Sequence, residues 1–215
     1  GDAAAFSFCQ DKIISTGDEG GLITFRDDDA YERAWSFKDH GKNRGRALEP
    51  HAGSGFRWLH DSVGTNWRMT EIEAAIGLLQ LEKLPEWRNR RNRNAAIWVE
   101  ALRGIPGLRV PEPPANLTCA YYKFYAFVEV DPALNAGLRD RILDAARGAG
   151  LKIGSGSCSE MYREAAFADM AVEPLPVAQA LGDSSLMLEV HPTLDLRRQH
   201  ARAEALAGIA REVLR

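Results

Sequence analysis

An α/β architecture in two parts is what this sequence predicts, and three observations predict it. Short apolar runs of strand length stand near the N-terminus, around residues 122–130 and around residues 185–190. Apolar residues at helical spacing fill much of the rest, most clearly behind Thr70. Between these zones Pro106, Pro111, Pro113 and Pro114 crowd into one short stretch, where no helix continues.

In chain order, residues 1–8 read as a mostly apolar strand, of the kind normally buried inside a sheet. Ser15-Thr16-Gly17-Asp18-Glu19-Gly20-Gly21 marks a tight turn and residues 22–25 a second strand, so two strands joined by a Gly-rich loop form the first unit. A short helix follows over 29–38, then a Gly- and Arg-rich loop over 41–64 with little periodicity. Thr70 and Glu73 make a capping box, and Ile72, Ala75, Ile76 and Leu79 continue it as a long helix that passes Pro85 and ends near Arg103. The domain division placed on this pattern is 1–103, a linker over 104–120, and 121–215. The last part reads as a small α+β layer: a strand over 122–130, a helix over 135–149, a short helix near 160–168, a strand over 185–190 and a final helix over 196–214.

Composition excludes several classes of protein. With 215 residues, 45% hydrophobic and 27% charged, the chain has the make-up of a folded domain rather than of a disordered or collagen-like one. A net charge of -3 counts against a general nucleic-acid binder. No apolar run approaches the roughly 18 residues that span a bilayer, and no secretory pattern opens the chain. Cys9, Cys119 and Cys158 lie far apart, which fits a reducing, cytoplasmic setting, and no ligand spacing for a metal is present.

Three features invite chemistry, and each has a plainer reading. Lys12 follows a strand directly, where an amine can attack an aldehyde; a solvated loop lysine is the alternative. The glycines of 17–21 permit close approach to an anion, yet Asp18 and Glu19 disfavour one, and a plain hairpin turn is the preferred explanation. The basic stretch from Arg88 to Arg93 lacks interleaved aromatics and reads as a solvated helix face.

Four ordered blocks narrow these choices. They are Phe6-Ser7-Phe8-Cys9-Gln10-Asp11-Lys12-Ile13-Ile14-Ser15-Thr16-Gly17-Asp18-Glu19-Gly20-Gly21, then Gly64-Thr65-Asn66-Trp67-Arg68-Met69-Thr70-Glu71-Ile72-Glu73-Ala74-Ala75-Ile76-Gly77, then Ser155-Gly156-Ser157-Cys158-Ser159-Glu160-Met161-Tyr162, and finally Leu186-Met187-Leu188-Glu189-Val190-His191-Pro192-Thr193-Leu194. Together they resemble the DegT/StrS-type sugar aminotransferases, pyridoxal-phosphate enzymes of the aspartate aminotransferase fold.

The resemblance implies the C-terminal part of a fold type I transferase: the end of its large domain with the long linking helix, and a small α+β C-terminal domain. It implies that Lys12 forms the Schiff base with pyridoxal phosphate, that Ser7 bonds the cofactor phosphate, and that Asn66 reaches the phosphate in the other subunit of a homodimer. The implied reaction moves an amino group, from glutamate, to a keto group of a nucleotide-linked sugar, in cytoplasmic polysaccharide biosynthesis. The family's aspartate for the ring nitrogen and its stacking aromatic belong to a longer N-terminal portion without counterpart here, so the chain is expected to be truncated and inactive alone. A non-catalytic folding or dimerisation fragment is the alternative. Lys12 speaks against the dehydratase branch, which carries histidine there. Asp18 stands where the family pattern has glycine, a departure that could strain or alter the turn, its effect left open by the sequence.

Overall fold

The computed structural model describes residues 1–51, 53–129, 137–170 and 172–215. Their contacts divide them into two compact units, Gly1–Leu84 and Pro85–Arg215.

In the first unit β1 (Ala3–Ser7) and β2 (Gly21–Phe25) form a two-stranded antiparallel ribbon, with Ala3 opposite Phe25 and Ser7 opposite Gly21. The expectation of a buried strand is corrected here. Every residue of β1 is exposed, including Phe6, and among the described residues no third strand joins the ribbon. Next comes α1 (Asp28–Lys38), whose cap Asp27 accepts the Ala30 N–H at 2.9 Å. Asp28 and Asp29 in its first turn and Lys38 in its last complement the helix dipole. The segment 41–64, expected as an unbroken loop, contains α2 (Arg44–Leu48), capped by Asn43 through the Arg46 N–H at 3.0 Å. Five residues are too few to show a helical period, so the cap was its one sequence signal.

The capping box forms as its sequence predicts. Thr70 N–H donates to Glu73 Oε2 at 2.7 Å, Glu73 N–H donates to Thr70 Oγ1 at 3.3 Å, and α3 (Glu71–Leu102) runs on from there. The Thr70 N–H and hydroxyl hold the Glu73 carboxyl below its usual range. Thr70→Ala is expected to cost about 1 kcal/mol of helix stability, read as faster amide exchange in the first turn of α3 with later turns unchanged. Pro85 lies inside α3 and lacks the N–H that would bond the Leu81 carbonyl, yet the helix continues through it. All of the buried positions of α3 follow that proline, from Arg91 to Leu102.

The second unit is an antiparallel sheet packed with helices. In chain order its elements are β3 (Leu108–Arg109), β4 (Phe124–Val128), α4 (Leu138–Gly148), β5 (Ile153–Gly154), α5 (Pro176–Ser184), β6 (Ser185–Leu188) and α6 (Leu196–Val213). The sheet order is β3-β4-β6-β5. The stretch 104–120 contains β3 and lies within this unit. Alternation along β4 buries Phe124, Ala126 and Val128. They meet Trp98 and Leu102 of α3, Ile142 of α4, Leu186 and Leu188 of β6, and Leu206 of α6 in one core. The expected helix near 160–168 is instead two 3₁₀ turns, Met161–Arg163 and Ala165–Phe167, because Glu164 between them is extended at ψ 142°. α5 was not expected from the sequence. Val130 of the expected strand and residues 135–136 of the expected helix lie outside the described residues.

Candidate active site

The residues around Lys12 are placed by the end of the β-ribbon. Phe8 N–H donates to the Gly20 carbonyl at 2.8 Å, one step beyond the strands, and Thr16 N–H donates to the Phe8 carbonyl at 3.2 Å. These two bonds close residues 9–15 into an excursion. Within it Lys12 N–H donates to the Cys9 carbonyl at 3.1 Å, and its ammonium lies 3.5 Å from Asp11 Oδ1. The Lys12 side chain is 36% exposed, which leaves the amine accessible. Ser7, the last residue of β1, accepts the Cys9 N–H on Oγ at 3.4 Å and keeps its own hydroxyl proton to donate.

The base of this excursion is packed against the first turns of α3. Thr16 is buried and its hydroxyl donates to the Glu19 carbonyl at 2.9 Å, while Ser15 N–H donates to Gln80 Oε1 at 2.8 Å. The glycines here have a steric reason. A Cβ on Gly20 would stand 2.4 Å from Thr16 Oγ1, and one on Gly77 would stand 3.1 Å from Thr16 Cγ2. Gly17 takes the left-handed bend at φ 105°. The effect of Asp18, left open by the sequence, is not backbone strain: among the described residues only His40 and Tyr121 are non-glycine positions with positive φ, and Asp18 is exposed.

Asn66 belongs to a different stretch of the same unit. It pairs with Asp39 in an isolated antiparallel bridge, Trp67 N–H donates to the Lys38 carbonyl at 2.9 Å, and Asn66 Oδ1 accepts Arg68 Nε at 3.0 Å. That last bond fixes the carboxamide with its NH₂ as the free donating edge. Asp39 is nearly buried, ion-paired with Lys42 at 3.0 Å and lies 3.7 Å from Arg68. Burial pushes its pKa up, but the Lys42 hydrogen bond and the charges of Lys42, Arg68 and Lys38 outweigh it and hold it below the usual carboxylate value. Because the folded pKa is the lower one, stability from Asp39 is fully present above about pH 4 and is lost as pH falls through the folded value. Asp39→Asn is therefore expected to flatten the acid limb of a melting-temperature profile below pH 4 for this unit.

Sequence reasoning singled out Ser7, Lys12 and Asn66, and the structure puts Ser7 at the end of β1, Lys12 in the closed excursion that follows it, and Asn66 in a bridge with Asp39 elsewhere in the same unit. It missed the supports, Thr16, Gln80 and Asp39. No local spacing connects Ser15 with Gln80, 65 residues away. No group of three His, Cys, Asp or Glu that would hold a metal occurs among the described residues, and no described helix is long and apolar enough to cross a membrane.

A lysine presented on a glycine-supported turn behind a strand, followed by a long helix and a small antiparallel domain, is the half-molecule pattern of the α/β aminotransferases, and solved structures bear this out. The aminotransferase from Psychrobacter cryohalolentis superposes with a TM-score of 0.90 at 39% identity, over 100% of this chain and 57% of that one. The chain belongs to the DegT/DnrJ/EryC1/StrS aminotransferase family, which matches residues 1–206. It is 34% identical to the GDP-perosamine synthase of Caulobacter vibrioides over 90% of this chain and 48% of that protein. It is 29% identical to the dTDP-4-dehydro-2,3,6-trideoxy-D-glucose 4-aminotransferase of Saccharopolyspora spinosa, over 91% of this chain and 49% of the relative. The chain thus spans about half the length of the curated relatives it matches.

Proposed function

We propose that this chain contributes to a homodimeric, pyridoxal-phosphate-dependent aminotransferase that moves an amino group from an amino acid, glutamate, to a keto group of a nucleotide-linked sugar. The observation that carries the reading is the accessible Lys12 amine on a turn closed by Phe8, Thr16 and Gly20, within a stretch that the family matches. The donor set suits the cofactor. Ser7 offers a hydroxyl proton and Asn66 an amide edge, both neutral donors for a phosphate dianion, and Lys12 offers a primary amine for an aldehyde. When bound, pyridoxal phosphate supplies that aldehyde and a conjugated ring that withdraws electrons from the carbon bearing the amino group.

In this reading Lys12 has two duties, holding the cofactor at rest and moving the proton at the substrate carbon once its amine is released. Ser7 orients the phosphate from the end of β1, while Asn66 serves the partner subunit's phosphate across a two-fold interface. Residues 1–103 would be the end of a large domain and 121–215 the small domain, joined by 104–120. A cytoplasmic setting and a role in polysaccharide biosynthesis accompany the reading. The exposed apolar side chains of Phe6, Leu22, Ile23, Ile72 and Leu79 favour association, and they also support a second reading, a folding and dimerisation module without catalysis.

Reductive trapping separates the two. The intact protein is incubated with pyridoxal phosphate, reduced with borohydride and digested for peptide mapping. A pyridoxyl label on Lys12 is the expected result; a label on another lysine, or none, refutes the catalytic reading.

A further inference from the structure

Asp39 stands where the chain leaves α1 and folds back along residues 61–67. The turn there uses constrained backbone. His40 takes φ 60°, Gly41 takes φ 81° with no room for a Cβ against the Ser62 carbonyl, and Gly64 has none against the Gly41 amide nitrogen. Thr65 N–H donates to the Phe37 carbonyl at 2.7 Å and His40 N–H to the Thr65 carbonyl at 2.9 Å, which locks the two stretches side by side. Asn66 is thereby held opposite Asp39 by its backbone. Its carboxamide is not, because the last torsion of an asparagine side chain is broad and turns whatever the backbone does.

One contact sets that torsion. Arg68 Nε–H donates to Asn66 Oδ1 at 3.0 Å, and since a guanidinium only donates, the amide oxygen faces Arg68 and the NH₂ faces away. The Arg68 side chain is 46% exposed, so holding this place costs it rotamer freedom. The Asp39 carboxylate, 10% exposed, supplies the anchor. Its Oδ1 lies 3.7 Å from Arg68 Nε and is itself fixed by the Lys42 ammonium at 3.0 Å.

We propose that Asp39 is a positioning residue for phosphate binding: acting through Arg68, it keeps the Asn66 NH₂ turned outward and available to the phosphate of the partner subunit's cofactor. The phosphate rests on the reading of Asn66 above, whereas the chain of contacts from Asp39 through Arg68 to Asn66 does not. An effect of charge alone would have the opposite sign. A carboxylate repels a phosphate dianion, so neutralising Asp39 would then tighten binding. Positioning instead weakens it on neutralisation, because a carboxamide free to turn presents its oxygen to the dianion part of the time and forfeits the hydrogen bond.

Equilibrium dialysis of the intact protein against pyridoxal phosphate, and against pyridoxal, which lacks the phosphate, reads the difference. Asp39→Asn is expected to weaken pyridoxal phosphate binding about fivefold and to leave pyridoxal within about 1.5-fold, since one hydrogen bond to a charged group is worth about tenfold when lost outright. Arg68→Ala should give the same selective loss, and neither substitution should weaken binding further in an Asn66→Ala background. Equal weakening of both ligands would make Asp39 a structural residue, and unchanged or tighter pyridoxal phosphate would leave only its charge at work. A further loss from Arg68→Ala in the Asn66→Ala background would have Arg68 act on the phosphate directly. Each of these overturns the proposal. If Asp39→Asn does not fold, the Arg68→Ala and Asn66→Ala pair decides by the same additivity. Pyridoxyl labelling of Lys12 in the parent is read in parallel: with a labelled parent a failure counts against this inference alone, and an unlabelled parent refutes the catalytic reading together with it.

Discussion

Lys12→Ala in the intact protein is expected to lower amino-group transfer by at least about a hundredfold, and toward ten-thousandfold, the range for removing a positioned general acid–base group. The argument is local. In the proposed function Lys12 would supply both the amine that holds the cofactor and the group that moves the proton, and no second lysine shares its turn, so one substitution would remove both duties. The fold should tolerate the change, because the backbones of Phe8, Thr16 and Gly20 and the Thr16 and Gln80 side chains supply bonds that close residues 9–15. Single-turnover kinetics with pyridoxal phosphate and glutamate, set beside thermal melting, check both halves. Activity within a few-fold of the parent would place the catalytic amine elsewhere. A large drop in melting temperature would make Lys12 a structural residue.

The second large effect concerns stability. Trp98→Ala is expected to cost about 3–5 kcal/mol, a large share of the stability of a typical domain. Trp98 is fully buried among Leu102, Phe124, Leu186 and Leu206, and its indole N–H donates to the Glu189 carbonyl at 3.0 Å. Truncation opens a cavity at the centre of the second unit and removes one of that carbonyl's two side-chain donors, leaving Gln199 Nε2 at 3.3 Å. Trp98→Phe keeps most of the volume and should cost less than Trp98→Ala, the lost hydrogen bond alone being worth about 1 kcal/mol. Amide exchange in β4 and β6 reads the difference, and equal effects of the two substitutions would show that packing is not what Trp98 contributes.

Acid sensitivity has a counterpart in the second unit. The Glu160 carboxyl is held below its usual range by the Tyr162 hydroxyl and by Arg163, against the upward push of burial. Its contribution therefore persists above the ordinary carboxylate pKa and disappears as pH falls through the lower folded value.

Local chemistry written in the sequence determined the helices with clear caps, the β-ribbon with its glycine turn, and the place of Lys12 in the loop just beyond Ser7 at the end of β1. Asp27, Thr70 and Glu73 set helix starts through bonds reaching two or three residues, which spacing alone reveals. The alternation in β4 and the apolar stripe of α6 also act within one element. Contacts between distant residues were decided only in the tertiary structure. Gln80 meets Ser15 because α3 passes under the Lys12 turn, Asp39 meets Asn66 because the chain folds back, and Gly182 makes room for Ser159. Burial of β1 was misjudged for the same reason: a strand's own residues state its polarity, but whether a layer covers it depends on other parts of the fold. α2, α5 and the two 3₁₀ turns escaped sequence reading because segments this short carry no full helical period, and their form is set by caps, by the extended Glu164 and by what they pack against.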